Sequence, residues 1–145
     1  MTAKEYLSQA FSLDNRIDAK LEQISVLHAL AAKATSTLTD VPPNGTRNVQ
    51  QMEDIICKIV DLEKEINEDI DRLVDLKFEI MSIIKAIGNL VYQTLLEQRY
   101  LCFRTWEQIA IDMGYDSRWV HRLHSKALGE TEKLLSTKRS HEKPL

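Results

Sequence analysis

The chain contains few of the residues that build disulfide frameworks, phosphate-binding loops or membrane spans. Its only cysteines, Cys57 and Cys102, lie in separate segments of the 145 residues, so the sequence predicts reduced thiols and no zinc site. With 4 glycines, it has no glycine-rich loop for phosphates. No apolar run approaches the roughly 18–20 residues of a membrane span, and the first residues lack the pattern of a signal peptide. These absences predict a cytoplasmic protein that makes no membrane contact.

Chemistry at a catalytic or metal centre is also not expected. The carboxylates are numerous, but they follow exposed helical faces and do not converge on one pocket. His121 and His124 stand three residues apart, yet no Cys, Asp or Glu nearby completes a metal-ligand set. The sequence therefore predicts a protein that is not an enzyme and that uses neither a cofactor nor a metal.

Most of residues 1–89 repeat apolar side chains at alternating spacings of three and four, the pattern of coiled-coil helices. The first series is Tyr6, Ala10, Leu13, Ile17, Leu21, Ile24, Leu27, Ala31, Ala34 and Leu38. The second series is Met52, Ile56, Ile59, Ile66, Ile70, Leu73, Ile80, Ile83 and Ile87. Paired prolines and an Asn-Gly pair within residues 39–46 separate the two series. Two arms of matched length around a short loop predict an antiparallel helical hairpin.

The second arm carries more apolar surface than one partner helix covers. The core position is doubled at Ile55–Ile56, Ile59–Val60 and Ile83–Ile84. A second hairpin is expected to cover the surplus, which predicts a homodimer or a higher homo-oligomer. In the alternative, the extra isoleucines pack on the C-terminal domain of the same chain.

Between Thr105 and Leu128 the sequence has the signals of two short helices around a tight turn. Thr105 and Gln108 fit a capping box at the start of the first helix. Gly114 follows that helix, at a position where a positive φ commonly ends it, and Asp116 or Ser117 can cap the next. This layout predicts a helix-turn-helix, which places its second helix in the major groove of DNA.

The second of these helices has two chemically different faces. Val120, Leu123 and Ala127 fall within a narrow arc that must face the first helix. Arg118, Arg122 and Lys126 follow each other at intervals of four on the opposite side, and this set is called the basic face below. Arginines in such a place can reach guanine N7 and O6 or neighbouring phosphates. The alternative is a solvated helix surface that touches only protein.

The sequence therefore predicts two sets of DNA contacts. The predicted base-contacting residues are Arg118, Trp119, Arg122 and Ser125. The predicted phosphate-contacting residues are Arg104, Thr105, Ser117, His121 and Lys126. For Trp119, contact with a thymine methyl and packing on a neighbouring element are both open. His124 is expected to be a partly buried packing residue, as are Leu95, Leu96 and Tyr100 of the preceding helix.

Charge separates the two parts of the chain. Residues 1–89 contain 10 Lys and Arg against 15 Asp and Glu, whereas residues 90–145 contain 9 against 7. Because phosphate neutralisation supplies much of DNA binding, the C-terminal part is the expected DNA-binding part. Its positive excess is small, so one copy is expected to bind weakly and two coupled copies more tightly.

The run YQTLLEQRYLCFRTWEQIAIDMGYDSRWVHRLHSKAL resembles the C-terminal domain of ArpU/RinA-like regulators of Gram-positive phages and prophages. That domain is similar to region 4 of sigma factors. The shared elements are Arg99–Tyr100, Ile109–Ala110, Gly114, Val120 and Ala127–Leu128. The N-terminal part, which begins TAKEYLSQAF and continues through MEDIICKIVDLEKEINEDIDRLVDLK, also resembles a prophage-encoded family with this domain order. The resemblance implies control of phage gene transcription through double-stranded DNA, together with contact to RNA polymerase.

The complete prediction is an all-α protein in three parts. Residues 1–89 form an antiparallel coiled-coil hairpin for oligomerisation, residues 90–135 a sigma region 4-like helix-turn-helix, and residues 136–145 a flexible basic tail. The predicted function is DNA-binding transcriptional regulation. One alternative is a DNA-packaging component similar to phage small terminase subunits, which usually place the DNA-binding domain first. Another is a coiled-coil protein-interaction module.

Overall fold

The computed structural model describes the backbone of residues 1–38 and 45–142, and the side chains of residues 1–35 and 49–139. The described residues form helices, turns and short connections without a strand, which confirms the all-α prediction and the two long N-terminal helices. The helices are α1 (Ala3–Leu38), α2 (Gly45–Lys85), α3 (Leu90–Leu96, followed by a π turn at Glu97–Leu101), α4 (Trp106–Met113) and α5 (Ser117–Glu142). Among them, no helix combines the length and the apolar character that crossing a bilayer requires. Most of the predicted proline-containing loop lies outside the described residues.

Two compact units make up the fold. The helix-pair unit is Leu13–Arg72, and the terminal unit combines Met1–Ser12 with Leu73–Leu145. This division differs from the predicted boundary at residue 89. The first turns of α1 and the last turns of α2 bury Leu7, Ile80 and Ile84 in one cluster with the C-terminal helices. Removing these side chains from water ties both segments to the terminal unit.

In the helix-pair unit, α1 and α2 run antiparallel. Lys20 contacts Asp69, and Thr35, further along α1, contacts Met52, which comes earlier in α2. The side chains buried between the two helices in this unit are Ile17, Lys20, Ile59, Leu62, Ile66 and Asp69.

The buried face of this helix pair differs from the predicted series at three positions. Leu21, Ile56 and Ile70 are 49%, 51% and 41% exposed, although each was expected to face the partner helix. Lys20 and Asp69 are buried in place of two of them, with 2.6 Å between Nζ and Oδ2. A spacing of three and four residues allows either of two adjacent positions, such as 20 and 21, to face the partner helix. Lys20 can be buried in place of Leu21 because its charge is paired with that of Asp69.

Both ends of the chain contribute to the terminal unit. Leu135 of α5 packs with Ala3 and Ile83 in a small buried cluster. The Ala3 backbone N–H donates to a Glu132 carboxylate at 2.8 Å, and the Arg139 guanidinium donates to the Met1 carbonyl at 2.9 Å. The backbone of residues 136–142, which belong to the predicted flexible tail, continues α5 as a helix. Residues 143–145 lie outside the described residues.

The doubled apolar positions of the second arm, which is α2, are buried in one unit and partly exposed in the other. Ile83 and Ile84 are both buried within the terminal unit, as the same-chain alternative predicts for this pair. Ile56 and Val60 of the helix-pair unit are more than half exposed. Of the doubled pairs, only those of the helix-pair unit therefore leave an apolar side chain more than half exposed.

Candidate nucleic-acid interface

Local hydrogen bonds define the ends of α4 and α5. The Thr105 hydroxyl accepts the Gln108 backbone N–H at 3.2 Å, and the Gln108 side chain accepts the Thr105 backbone N–H at 3.0 Å, which confirms the predicted capping box. Gly114 ends α4 with a φ of 71°, in the left-handed region that favours glycine. Asp116 then caps α5 by accepting the Trp119 backbone N–H at 2.8 Å. A three-residue turn therefore joins α4 to α5.

The inner face of α5 is buried as predicted. Val120 and Ala127 are fully buried and Leu123 is nearly so, and all three belong to one cluster with Ile109 of α4. Leu95, Leu96 and Tyr100 are buried in the same cluster. The apolar side of α5 is thus fixed against α3 and α4, which determines the side that remains in water.

The basic face lies on that solvent side. Arg118, Arg122 and Lys126 are exposed, and the two arginines make no ion pair with any described residue. Ser125 is exposed beside them. Trp119 is 40% exposed, with the Lys126 ammonium 5.8 Å from the centre of its ring. The four predicted base-contacting residues therefore share one accessible side of α5.

Charge is segregated along this region. Residues 105–117 contain the acidic Glu107, Asp112 and Asp116 and no lysine or arginine, whereas residues 118–128 contain the basic face and no acidic residue. A duplex would be attracted to the second segment and repelled by the first, because its phosphates carry negative charge.

The predicted phosphate contacts are placed less uniformly. Ser117 is exposed at the start of α5, and His121 is exposed beside the basic face. The centre of the His121 ring lies 4.9 Å from that of the Trp106 ring. The Thr105 hydroxyl is engaged in the capping box. The Arg104 guanidinium donates to the Asp112 carboxylate, so in the free chain this cation already has an anionic partner.

Tyr100, Trp106 and His124 form a cluster on the inner side of α5 that the sequence analysis does not predict. The Tyr100 hydroxyl and His124 Nε2 lie 2.6 Å apart, and the Trp106 ring contacts His124 at 4.6 Å between centroids. The Arg99 guanidinium covers the Trp106 ring at 4.4 Å. The sequence placed Tyr100 and His124 in buried positions without pairing them. Because a buried phenol or imidazole normally has a hydrogen-bond partner, the burial expected for both residues is a sequence signal for their pairing.

Burial shifts the protonation of both members of this pair. Burial raises the pKa of Tyr100 to about 12, against a smaller lowering by the Arg99 charge. Burial lowers the pKa of His124 to about 4, and electrostatic interactions with Lys4, Arg99 and His121 act in the same direction. Near neutral pH both groups are therefore uncharged. The phenol then donates and Nε2 accepts, since a phenol donates strongly and a neutral imidazole nitrogen accepts.

Within the described part of the chain, no cluster of His, Cys, Asp and Glu is suited to hold a metal ion. Comparison of the sequence with protein-family models and curated proteins, and of the fold with solved structures, finds no match. The function must therefore be inferred from the geometry of the chain's own residues.

Proposed function

We propose that this protein is a DNA-binding transcriptional regulator that inserts α5 into the major groove with the basic face toward the bases. The observation that carries the proposal is the exposure of Arg118 and Arg122, without ion-pair partners among the described residues, opposite a fully packed inner face. An unpaired guanidinium is available to bind a base edge or a phosphate without first breaking a salt bridge.

Base recognition is assigned to the centre of the basic face. Arg118 and Arg122 are the candidates for bidentate contacts to guanine N7 and O6, each worth roughly 1–3 kcal/mol of discrimination. Ser125 offers a hydroxyl that can donate or accept, and Trp119 offers apolar surface for a thymine methyl. These four side chains would select the sequence.

The phosphate contacts are assigned to the residues around that centre. Lys126, His121 and Ser117 are exposed, and Thr105 lies at the start of α4. Arg104 joins them by exchanging its Asp112 carboxylate for a phosphate. A surface ion pair contributes only about 0–1 kcal/mol, so this exchange costs little.

The helix-pair unit is proposed to join two or more copies. Leu21, Ile56, Val60 and Ile70 stay 41–56% exposed in a unit that buries few side chains completely. A second copy covering this surface would bring two α5 helices to one DNA molecule and raise their effective concentration. The phage or prophage setting and a contact with RNA polymerase, both implied by the resemblance to ArpU/RinA-like regulators, complete the proposal.

The direct test is selection of bound fragments from a random duplex library by the intact chain. The expected result is enrichment of one motif that occurs as two half-sites with fixed spacing, because each copy reads one half-site. Recovery of unrelated fragments without a common motif would reject sequence-specific regulation.

Assembly is tested by solution mass. In Ile56→Glu combined with Val60→Glu, two carboxylates would face the apolar surface of the second copy, so the mass is expected to fall to that of one chain. Gln51→Glu adds a carboxylate at an exposed polar position of α2 and should keep the wild-type mass. A wild-type mass of one chain at binding concentrations would exclude assembly through this surface.

A further inference from the structure

The hydrogen bond between Tyr100 and His124 has an unusual place in the fold. Its two members come from different elements, the π turn after α3 and the third turn of α5, and both side chains are buried, at 4% and 8% exposure. The other described buried polar side chain on α5, Thr131, donates to the Ala127 carbonyl of its own helix. Among the described residues, His124 therefore provides the buried polar link from α5 to another element.

The π turn is what presents Tyr100 to α5. In this turn the Cys102 backbone N–H donates to the Glu97 carbonyl at 3.0 Å, so the turn holds one residue more than an α-helical turn. The extra residue changes the direction in which the following side chains leave the helix. Such single turns occur mostly within α-helices and are frequent at functional sites.

The position of His124 matters for the basic face. At about 100° per residue, His124 lies about 160° around the helix axis from both Arg122 and Lys126. The packing of Val120 and Leu123 fixes which side of α5 faces the core, but the hydrophobic effect is non-directional and sets the exact rotation of the helix less sharply than a hydrogen bond does. A hydrogen bond weakens steeply away from its preferred distance and angle, so it resists rotation of α5 about its axis. Rotation of α5 would carry the arginines away from the base edges they must meet.

We infer that Tyr100 and His124 are positioning residues, which fix the rotation of α5 and so set the placement of the basic face for DNA reading. This inference rests on the proposed function and adds a specificity role for two residues that would not touch DNA. Base contacts carry the sequence information, whereas phosphate contacts carry none directly. Loss of the link should therefore reduce sequence preference more than total DNA binding.

The charged surroundings of His124 keep the link in place over a wide pH range. The groups that face the ring are Lys4 of α1, Arg99 and Tyr100 of the π turn, and His121 of α5. Three of these are cationic or can become so, and they oppose a proton on His124 in addition to its burial. The neutral ring can then accept the phenol hydrogen at neutral and mildly acidic pH.

The test compares Tyr100→Phe with the intact wild-type chain on the duplex enriched from the random library and on an unrelated duplex. Phenylalanine keeps the ring and removes only the donor. The preference for the enriched duplex is expected to fall about three- to tenfold, the effect of one buried hydrogen bond, while binding to the unrelated duplex stays within about twofold. Thr131→Val is the matched control, because it removes a buried hydroxyl from α5 without touching the link.

A titration of the His124 ring by NMR provides the second readout. In Tyr100→Phe the neutral ring loses its donor, so the pKa of His124 is expected to rise above the wild-type value of about 4. A fall in preference for Tyr100→Phe alone, together with this rise, supports the inference. An unchanged preference, or equal losses in Tyr100→Phe and Thr131→Val, would overturn it. If the wild-type chain itself shows no preference between duplexes, the proposed function fails, and the inference fails with it.

Discussion

The terminal unit and the helix-pair unit bury their side chains in different ways. The largest fully buried side chains all belong to the terminal unit: Leu7, Ile80, Ile84, Leu95, Leu96, Ile109, Val120 and Thr131. The helix-pair unit has an ion pair in its buried face and contributes none of these fully buried side chains. Both units expose large apolar side chains, such as Phe78, Leu90 and Ile111 in the terminal unit, but only the helix-pair unit does so without a fully buried core. Its exposed apolar side chains are Leu21, Val26, Leu30, Val49, Ile56, Val60 and Ile70, at 41% to 59%.

This difference indicates what each unit needs. Several helices surround the core of the terminal unit, so that core excludes water without another copy of the chain. Two helices form a single layer and can hide only one stripe of each helix from water. The unit that holds the basic face should therefore be stable by itself, whereas the helix-pair unit should depend on whatever covers its outer face.

The largest effect is expected for a substitution in the first turns of α1, which belong to the terminal unit, compared with one further along the same helix. Leu7→Ala creates a cavity in the terminal core and is expected to lower its free energy of unfolding by about 3 kcal/mol. Both tryptophans, Trp106 and Trp119, belong to the terminal unit, so their fluorescence during denaturation reports on it. Leu30→Ala, at a 45% exposed site of the helix-pair unit, should leave that signal unchanged. Equal effects of the two substitutions would contradict the division into these units.

Acid should weaken the terminal unit through His124. Because the folded pKa is about 4 against an ordinary 6.5, the unfolded chain takes up the proton first as pH falls. Stability from this residue is complete above about pH 6.5 and falls by about 2–3 kcal/mol as pH is lowered to 4. His124→Gln retains an acceptor for Tyr100 and cannot titrate, so denaturation curves at each pH should show a smaller acid loss. The same acid loss in both proteins would exclude His124 as the cause.

Removing one partner of the buried ion pair in the helix-pair unit should destabilise the protein more than replacing both partners. Asp69→Ala leaves Lys20 with Glu65 at 3.8 Å as its remaining carboxylate, and a loss of about 2 kcal/mol is expected. Replacing both partners, Lys20→Leu with Asp69→Leu, should restore or exceed wild-type stability, since no unpaired charge remains. The measurement is thermal unfolding followed by circular dichroism. A double variant less stable than Asp69→Ala would show that the pair contributes net stability.

The smallest expected effect concerns the capping box of α4. Thr105→Ala removes the acceptor of the Gln108 backbone N–H and should cost about 1 kcal/mol in the terminal unit. Thr105→Ser keeps an acceptor at the same position and should stay within about 0.5 kcal/mol of wild type. Denaturant unfolding followed by tryptophan fluorescence distinguishes the two. If alanine were as stable as serine, the cap would contribute nothing here.

Local signals made the region around α4 and α5 predictable. The capping box needs only Thr105 and Gln108 at the right spacing, and a helix end at Gly114 needs only a residue that tolerates positive φ. The buried arc of Val120, Leu123 and Ala127 follows from helical periodicity. Each of these features depends on residues close together in the sequence.

The features that could not be predicted depend on distant parts of the chain. Periodicity allows either Leu21 or Lys20 to face α2, and the choice depends on Asp69, 49 residues beyond Lys20. The packing of Leu7 with the C-terminal helices and the pairing of Tyr100 with His124 are likewise contacts between elements. The π turn at Glu97–Leu101 has no sequence signature comparable to a capping box.

The most direct measurement is the affinity of Arg122→Ala for the enriched duplex and for an unrelated duplex. Arg122 is exposed at the centre of the basic face, so its loss should leave the fold intact. If it contacts a base, affinity for the enriched duplex should fall by roughly 1–3 kcal/mol while affinity for the unrelated duplex changes much less. Lys133→Ala, which removes a 77% exposed cation elsewhere on α5, should behave as wild type. Equal losses of Arg122→Ala on both duplexes, or no loss on either, would contradict the assignment of the basic face to DNA reading.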